Sequence, residues 1–193
     1  KFKWDTEKYP GMKDFKKFGP FAYTAKLRNG LFRNTGACLS PQNAFYNSIG
    51  METLGLRMER VCDNAKTLAQ FFATEYSDIE VNYPGLAGSK WHNIATEQFG
   101  DKFGGIITIR TGNKKRAFGI IDALKLPLIV SNIGDTKTLV IHPESTLNVH
   151  STQEEKETAG VFDDLIRISV GIEDIEDLID DFKQAIESVK DAY

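Results

Sequence analysis

The sequence predicts an α/β fold: a small sheet with helices packed on one of its faces. Three observations predict it. Three or four short apolar runs alternate with helical stretches. One amphipathic period persists for more than thirty residues, and a second amphipathic helix closes the chain. Composition agrees, since 193 residues that are 41% apolar and 26% charged make a globular chain. A chain of that length buries roughly 70% of its unfolded surface.

Residues 1–20 mix lysines and aromatics with Pro10, Gly11, Gly19 and Pro20, show no period, and predict an irregular arm. A helix is expected over 21–34, with a break at Gly36. Ser40-Pro41 then gives an N-cap followed by proline at the first helical position. From there Leu54, Met58, Val61, Ala65, Leu68 and Phe72 recur in steps of three and four, predicting one helix that reaches about residue 74. Helices of this length often join two domains.

Shorter elements follow. Ile79 to Asn82 reads as a strand ended by Tyr83-Pro84-Gly85, and a helix is expected near 90–99. Ile106 to Arg110 reads as a strand, and another helix is expected near 113–124. Apolar runs at 128–131 and 138–142 precede a charged helical turn at 152–158. Leu165 to Val170 is the last strand. The final helix starts at Asp174, whose carboxylate is expected to cap the Asp177 amide, and buries Ile175, Leu178, Ile179, Phe182, Ile186 and Val189.

Several function classes are excluded or left without support. A net charge of −3 with a pI near 5.7 argues against nucleic acid as a partner. No apolar run approaches the ~18 residues that span a bilayer, so no membrane role is expected. Cys38 and Cys62 cannot form a disulfide framework and are expected to be reduced thiols in a cytoplasmic protein. Residues 1–35 hold nine Lys/Arg against three Asp/Glu, and residues 151–193 hold four against thirteen; both stretches read as solvated faces. His92, His142 and His150 are too scattered for a metal triad, so no metal site is expected. No Walker loop, G-x-G-x-x-G motif or G-x-S-x-G elbow occurs. The chain begins with Lys1 and has no signal pattern, which points to a truncated or cleaved chain.

One position stands out on physical grounds. In Leu165-Ile166-Arg167-Ile168-Ser169-Val170 an arginine is set among aliphatic residues. Burying an unpaired guanidinium costs several kcal/mol, so Arg167 is expected to meet a fixed carboxylate, reach an exposed strand edge, or face a cavity. Its planar fork suits a small carboxylate ligand.

Longer motifs carry a family resemblance. Gly36-Ala37-Cys38-Leu39-Ser40-Pro41-Gln42-Asn43-Ala44-Phe45, continuing through Gly50 to Arg60, resembles the start of the C-terminal half of Cys/Met-metabolism pyridoxal-phosphate enzymes. Asn132 to Pro143 and Leu165 to Asp174 continue the resemblance in order. Cys38, Asn43, Glu52, Lys137 and the Ile141-His142-Pro143 segment are more similar to O-acetylhomoserine sulfhydrylases than to cystathionine lyases. The resemblance implies the small C-terminal domain of a fold-type I enzyme, with a mostly antiparallel sheet and a long interdomain helix. Residues 1–40 would be an arm and helix trailing from a missing N-terminal large domain, and 41–193 the small domain with its connecting helix. It also implies a small-molecule amino-acid substrate, a homo-oligomeric full enzyme (dimer or tetramer) and the conversion of O-acetylhomoserine and sulfide into homocysteine and acetate, a step of methionine biosynthesis. A γ-lyase or γ-synthase of the same family is the alternative activity, and an inert folding module the alternative role for the chain.

For the site, the resemblance implies that Arg167 grips the substrate α-carboxylate. Thr138 stands where a serine or threonine hydroxyl positions cofactor and substrate, and Asn132 lies on the same loop. His142 belongs to the motif as a structural residue. The Schiff-base lysine, phosphate-binding groups, ring-stacking aromatic and pyridine-nitrogen aspartate all lie upstream of Lys1 in the family. Tyr23-Thr24-Ala25-Lys26 imitates the lysine motif but aligns with a later helix. No catalytic or covalent cofactor-binding residue is therefore expected in this chain. Pyridoxal 5'-phosphate belongs to the full-length enzyme, and the chain alone is expected to be inactive. Leu147-Asn148 departs from the threonine-histidine pair of many members.

Overall fold

The computed structural model describes residues 13–190. Residues 1–12, which hold most of the predicted arm, and residues 191–193 lie outside the described residues. The chain divides into two compact units, Lys1–Gly50 and Met51–Tyr193. In the first, a 3-10 helix occupies Lys13–Phe21 where the sequence predicts irregular chain. It is kinked at Gly19 (φ 53°, ψ −123°), a conformation that glycine adopts without Cβ strain, and Pro20 follows the kink. Helix α1 (Ala22–Leu27) passes through a π-helical stretch (Arg28–Phe32) into α2 (Arg33–Thr35). It ends at Gly36, left-handed at φ 62°, as the predicted break requires. Helix α3 (Pro41–Glu52) starts as expected: the Asn43 amide donates to Ser40 Oγ at 3.2 Å, and Pro41 occupies the first helical position.

The single long helix of the sequence reading is two. Thr53, at φ −102° and ψ 2°, separates α3 from the 22-residue α4 (Leu54–Glu75). The apolar stripe is real, but only its later turns are covered. Val61, Ala65, Leu68 and Phe72 are buried, whereas Leu54 and Met58 are 45% and 40% exposed.

The second unit builds one five-stranded sheet. Its strands are β1 (Glu80–Asn82), β2 (Ile106–Arg110), β3 (Leu128–Ile129), β4 (Leu139–Ile141) and β5 (Leu165–Ser169), in the order β1-β2-β5-β4-β3. All pairings are antiparallel except the short parallel β3–β4 edge. Helices α5 (His92–Phe99), α6 (Lys114–Ala123), α7 (Gln153–Thr158) and α8 (Ile175–Ser188) complete the unit. Local chemistry sets each start. Asn113 accepts the Arg116 amide, Thr152 and Glu155 form a reciprocal capping box, and Asp174 caps α8. The last cap differs from the expectation. The Asp174 carboxylate takes the Glu176 amide at 3.0 Å rather than that of Asp177, because the short side chain reaches two residues on in an Asx turn.

Period-two alternation sorts the sheet into two faces. Ile107 and Ile109 of β2, Ile166 and Ile168 of β5, and Val140 of β4 point to one side. There they meet Leu68 and Phe72 of α4, Ala117 and Ile120 of α6, and Leu178, Phe182 and Ile186 of α8. Helices thus cover one face, as predicted. The other face carries Asn82, Thr108, Arg167 and Ile141 side by side in register.

A charge clamp joins the start of α6 to α7. Glu144 accepts from Lys114 Nζ at 2.8 Å and from Lys156 Nζ at 2.6 Å, and these two ammonium groups hold its pKa down to about 2. The folded pKa lies below the unfolded one, so the stabilisation is present above about pH 4.5 and is lost as pH falls toward 2. Glu144→Gln is expected to lower the melting temperature at pH 7 by roughly 2–4 °C. Melts across pH should show wild type and variant converging at the acid end.

Candidate functional site

Arg167 lies mid-strand in β5, on the face away from the helices, between Thr108 of β2 and Ile141 of β4. Its neighbours in sequence, Ile166 and Ile168, turn into the core and fix the strand's orientation, so the guanidinium has no choice of face. Nη2 donates to the Asn132 carbonyl at 3.3 Å. Nε is buried and has no acceptor. Among the described residues no carboxylate lies within ion-pair distance of this side chain. Burial pulls its pKa below the ordinary arginine value. An arginine so placed is part-desolvated, singly hydrogen-bonded and unneutralised, which is the condition in which an arriving carboxylate gains most.

The sequence reading also selected Asn132 and Thr138, and the structure places them at the two ends of one irregular loop. Asn132 meets Arg167 through its main chain. Thr138 is fully buried, and its hydroxyl is engaged inside the fold: it donates to Glu173 Oε2 at 2.9 Å and accepts the Gly171 amide at 2.9 Å. The Thr138 amide donates to the other Glu173 oxygen. Ser169, two residues beyond Arg167, accepts the Gly134 amide at 3.2 Å. Sequence reasoning missed Ser169, Glu173 and Asn64. The signal available was their position in the Ser169-Val170-Gly171-Ile172-Glu173 run directly after the arginine. Asn64 had none, because it lies within the predicted amphipathic helix. Its Nδ2 spans the Gly171 and Glu173 carbonyls at 3.1 and 2.9 Å.

Gly171 is sterically required here. A Cβ at this position would stand 2.5 Å from the Thr136 carbonyl oxygen and 2.6 Å from the Lys137 carbonyl carbon, both backbone. Gly171→Ala is expected to destabilise the unit by about 1–3 kcal/mol, read as a lower midpoint in urea.

His142 is buried and structural, in keeping with its sequence reading. Its Nε2 faces the Asp163 carbonyl at 2.8 Å, which requires a proton on that nitrogen, and Nδ1 lies 2.9 Å from Ser145 Oγ. Phe118 stacks on the ring with centroids 4.6 Å apart. Cys38 is exposed, and the buried Cys62 lines an apolar cavity of about 450 Å³ with Met58, Phe99 and Phe103. A larger cavity of about 800 Å³ lies over the β1 end of the Arg167 face. Thr108, the β2 neighbour of Arg167, is in its wall; Arg167 itself is not. Among the described residues no group of His, Cys, Asp and Glu is arranged to hold a metal.

Residues 12–187, most of the chain, match the Cys/Met metabolism PLP-dependent enzyme family. The chain belongs to that family. An L-methionine gamma-lyase of Fusobacterium nucleatum is 41% identical over 83% of this chain and 40% of its own length. An O-acetyl-L-homoserine sulfhydrylase of Corynebacterium glutamicum is 38% identical over 95% of this chain and 45% of its own length. Among solved structures, a Campylobacter jejuni protein named as an O-acetylhomoserine (thiol)-lyase, which carries a pyridoxyl-lysine phosphate, superposes with a TM-score of 0.80. It is 38% identical over 87% of this chain and 40% of that one. The chain therefore spans less than half the length of the relatives it matches.

The family is pyridoxal-phosphate-dependent, and a covalent site for that cofactor needs a particular kind of lysine. A lysine that joins a carbonyl cofactor has to give up its proton, which it does in a desolvated pocket. No lysine from Lys17 onward is buried. Lys26, of the lysine-like Tyr23-Thr24-Ala25-Lys26 stretch, is exposed. Lys102 is held protonated by Asp63, 2.7 Å away. What the described residues offer at the predicted site is a part-buried guanidinium, that of Arg167, with no carboxylate partner among them.

Proposed function

We propose that this chain is the C-terminal part of an O-acetylhomoserine sulfhydrylase, the enzyme that turns O-acetylhomoserine and sulfide into homocysteine and acetate in methionine biosynthesis, and that Arg167 receives the substrate α-carboxylate. The observation that supports this most is the state of that arginine: part-buried and, among the described residues, without a carboxylate partner and hydrogen-bonded only to the Asn132 carbonyl. A substrate carboxylate would supply the missing negative charge, and a two-point grip would fix rotation about the Cα–carboxyl bond. Asn132 contributes by holding the guanidinium, and Thr138 by anchoring the far end of the loop. Pyridoxal phosphate and the groups that bind it are assigned to the rest of the full-length protein, so the isolated chain should be inactive and should develop no lysine-bound cofactor absorption when the cofactor is added.

In the same reading, residues 1–40 trail from the large domain, and 41–193 form the small domain with its connecting helix. The enzyme works as a homo-oligomer in the cytoplasm, a compartment where unpaired thiols such as Cys38 and Cys62 persist.

A second reading, a γ-lyase acting on methionine, is favoured by the 41% identity to the Fusobacterium enzyme. Arg167 does not separate the two, because both substrates carry the same α-carboxylate. An assay of the complete enzyme does. Sulfide-dependent homocysteine formation from O-acetylhomoserine is the expected result, and α-keto acid release from methionine without sulfide consumption would select the lyase.

A further inference from the structure

We propose that Ser169 and Glu173 form a two-point clip that holds the 132–138 loop against β5 and thereby aims Arg167, so that both are positioning residues for carboxylate recognition. The inference rests on the carboxylate-binding role given to Arg167 above. It starts from a peculiarity of that side chain: among the described residues its one hydrogen bond goes to a main-chain carbonyl, that of Asn132. The direction of the fork therefore depends on where the backbone at 132 stands. Residues 132–137 are exposed and belong to no helix or strand, so nothing in their own conformation fixes that carbonyl.

Attachments to the end of β5 and to the residues just after it fix it instead. Gly134 donates to Ser169 Oγ, the Ile172 amide donates to the Thr136 carbonyl at 2.9 Å, and Thr138 gives both its amide and its hydroxyl to the Glu173 carboxylate. These contacts climb from residue 169 to residue 173 as the loop climbs from 134 to 138. At Thr138 the chain turns back into β4, which returns along β5 until Ile141 again stands beside Arg167. Both carboxylate oxygens of Glu173 are used on the loop, and no cation pairs with it among the described residues. The main chain of Glu173 is itself pinned to α4, since its carbonyl accepts from Asn64 Nδ2 at 2.9 Å and from Arg60 Nη2 at 3.1 Å. The clip thus connects the core-packed helix to the exposed carbonyl that steers the guanidinium.

The test is made on the complete enzyme. Calorimetry measures the affinity for L-norvaline and for L-norvalinamide, which share a side chain and differ in the carboxylate. The ratio of the two affinities is the carboxylate preference. Ser169→Ala, an almost isosteric change that removes one hydrogen bond, should reduce the preference by about threefold, and Glu173→Gln by roughly tenfold, with amide binding nearly unchanged. Equal losses for both ligands, or an unaltered preference in both variants, would overturn the clip. Arg167→Ala in the same assay tests the underlying reading separately: a preference that survives its removal overturns the role of Arg167 itself.

Discussion

Replacing Arg167 by alanine in the complete enzyme should lower kcat/KM for the amino-acid substrate by roughly 10- to 100-fold, about 1.5–3 kcal/mol of lost charge-assisted hydrogen bonding. The same replacement should leave the fold intact or slightly firmer. Arg167 contributes one long hydrogen bond to the folded chain and holds a buried Nε with no acceptor, so the protein bears a desolvation cost for it. Exchange for an apolar side chain of similar length, Arg167→Met, removes that cost and should not lower the melting temperature. Loss of binding without loss of stability is the signature of a residue kept for a ligand. Arg167→Lys is expected to recover little, because an ammonium cannot form the planar two-point grip. Steady-state kinetics beside thermal melts check this; normal kinetics in Arg167→Ala would remove the assigned role.

The arginine was legible because its chemistry contradicts its neighbours. A guanidinium within Leu165 to Val170 breaks the aliphatic pattern, and alternation alone shows it to be on the opposite face from Ile166 and Ile168. The fold was legible for a similar reason: the apolar periods of α4 and α8 and the β2 and β5 runs are long enough to set their own type. Legibility failed where the deciding contact is remote in sequence. The resemblance gives Thr138 a positioning hydroxyl, but the partner that hydroxyl takes inside the fold, Glu173, is 35 residues away. Asn64 read as one polar position on a helix, and its two acceptors are more than a hundred residues distant. The interruption at Thr53 was hidden because the apolar steps continue across it; only Leu54 and Met58, left exposed, show that the stripe runs past what the second unit covers. Short strands suffered most. β3 has two residues and exists through its pairing with β4, not through its own pattern.

Truncating Phe72 to alanine should be the most damaging single change to the second unit, about 3–5 kcal/mol, or a fall in melting temperature on the order of 10–20 °C. Phe72 is fully buried in α4 and meets Phe182 of α8 edge to face, with ring centroids 5.2 Å apart. Phe71 packs against it at 5.6 Å. Both flanking residues of that contact sit on helices already committed to the sheet through Leu68 and Leu178, so neither helix can move in to fill the void. The cost is therefore the lost transfer free energy plus a cavity that persists. Phe99→Ala is the control: its ring is 63% exposed, and its removal should shift the midpoint by less than about 1 °C. If the two variants melt alike, the core is not where the Phe72–Phe182 pair places it. The carboxylate preference of whatever enzyme remains folded should match wild type in Phe72→Ala, because Arg167, Ser169 and Glu173 hold their partners without contacting this ring pair. Stability and recognition would then separate by the two faces of one sheet.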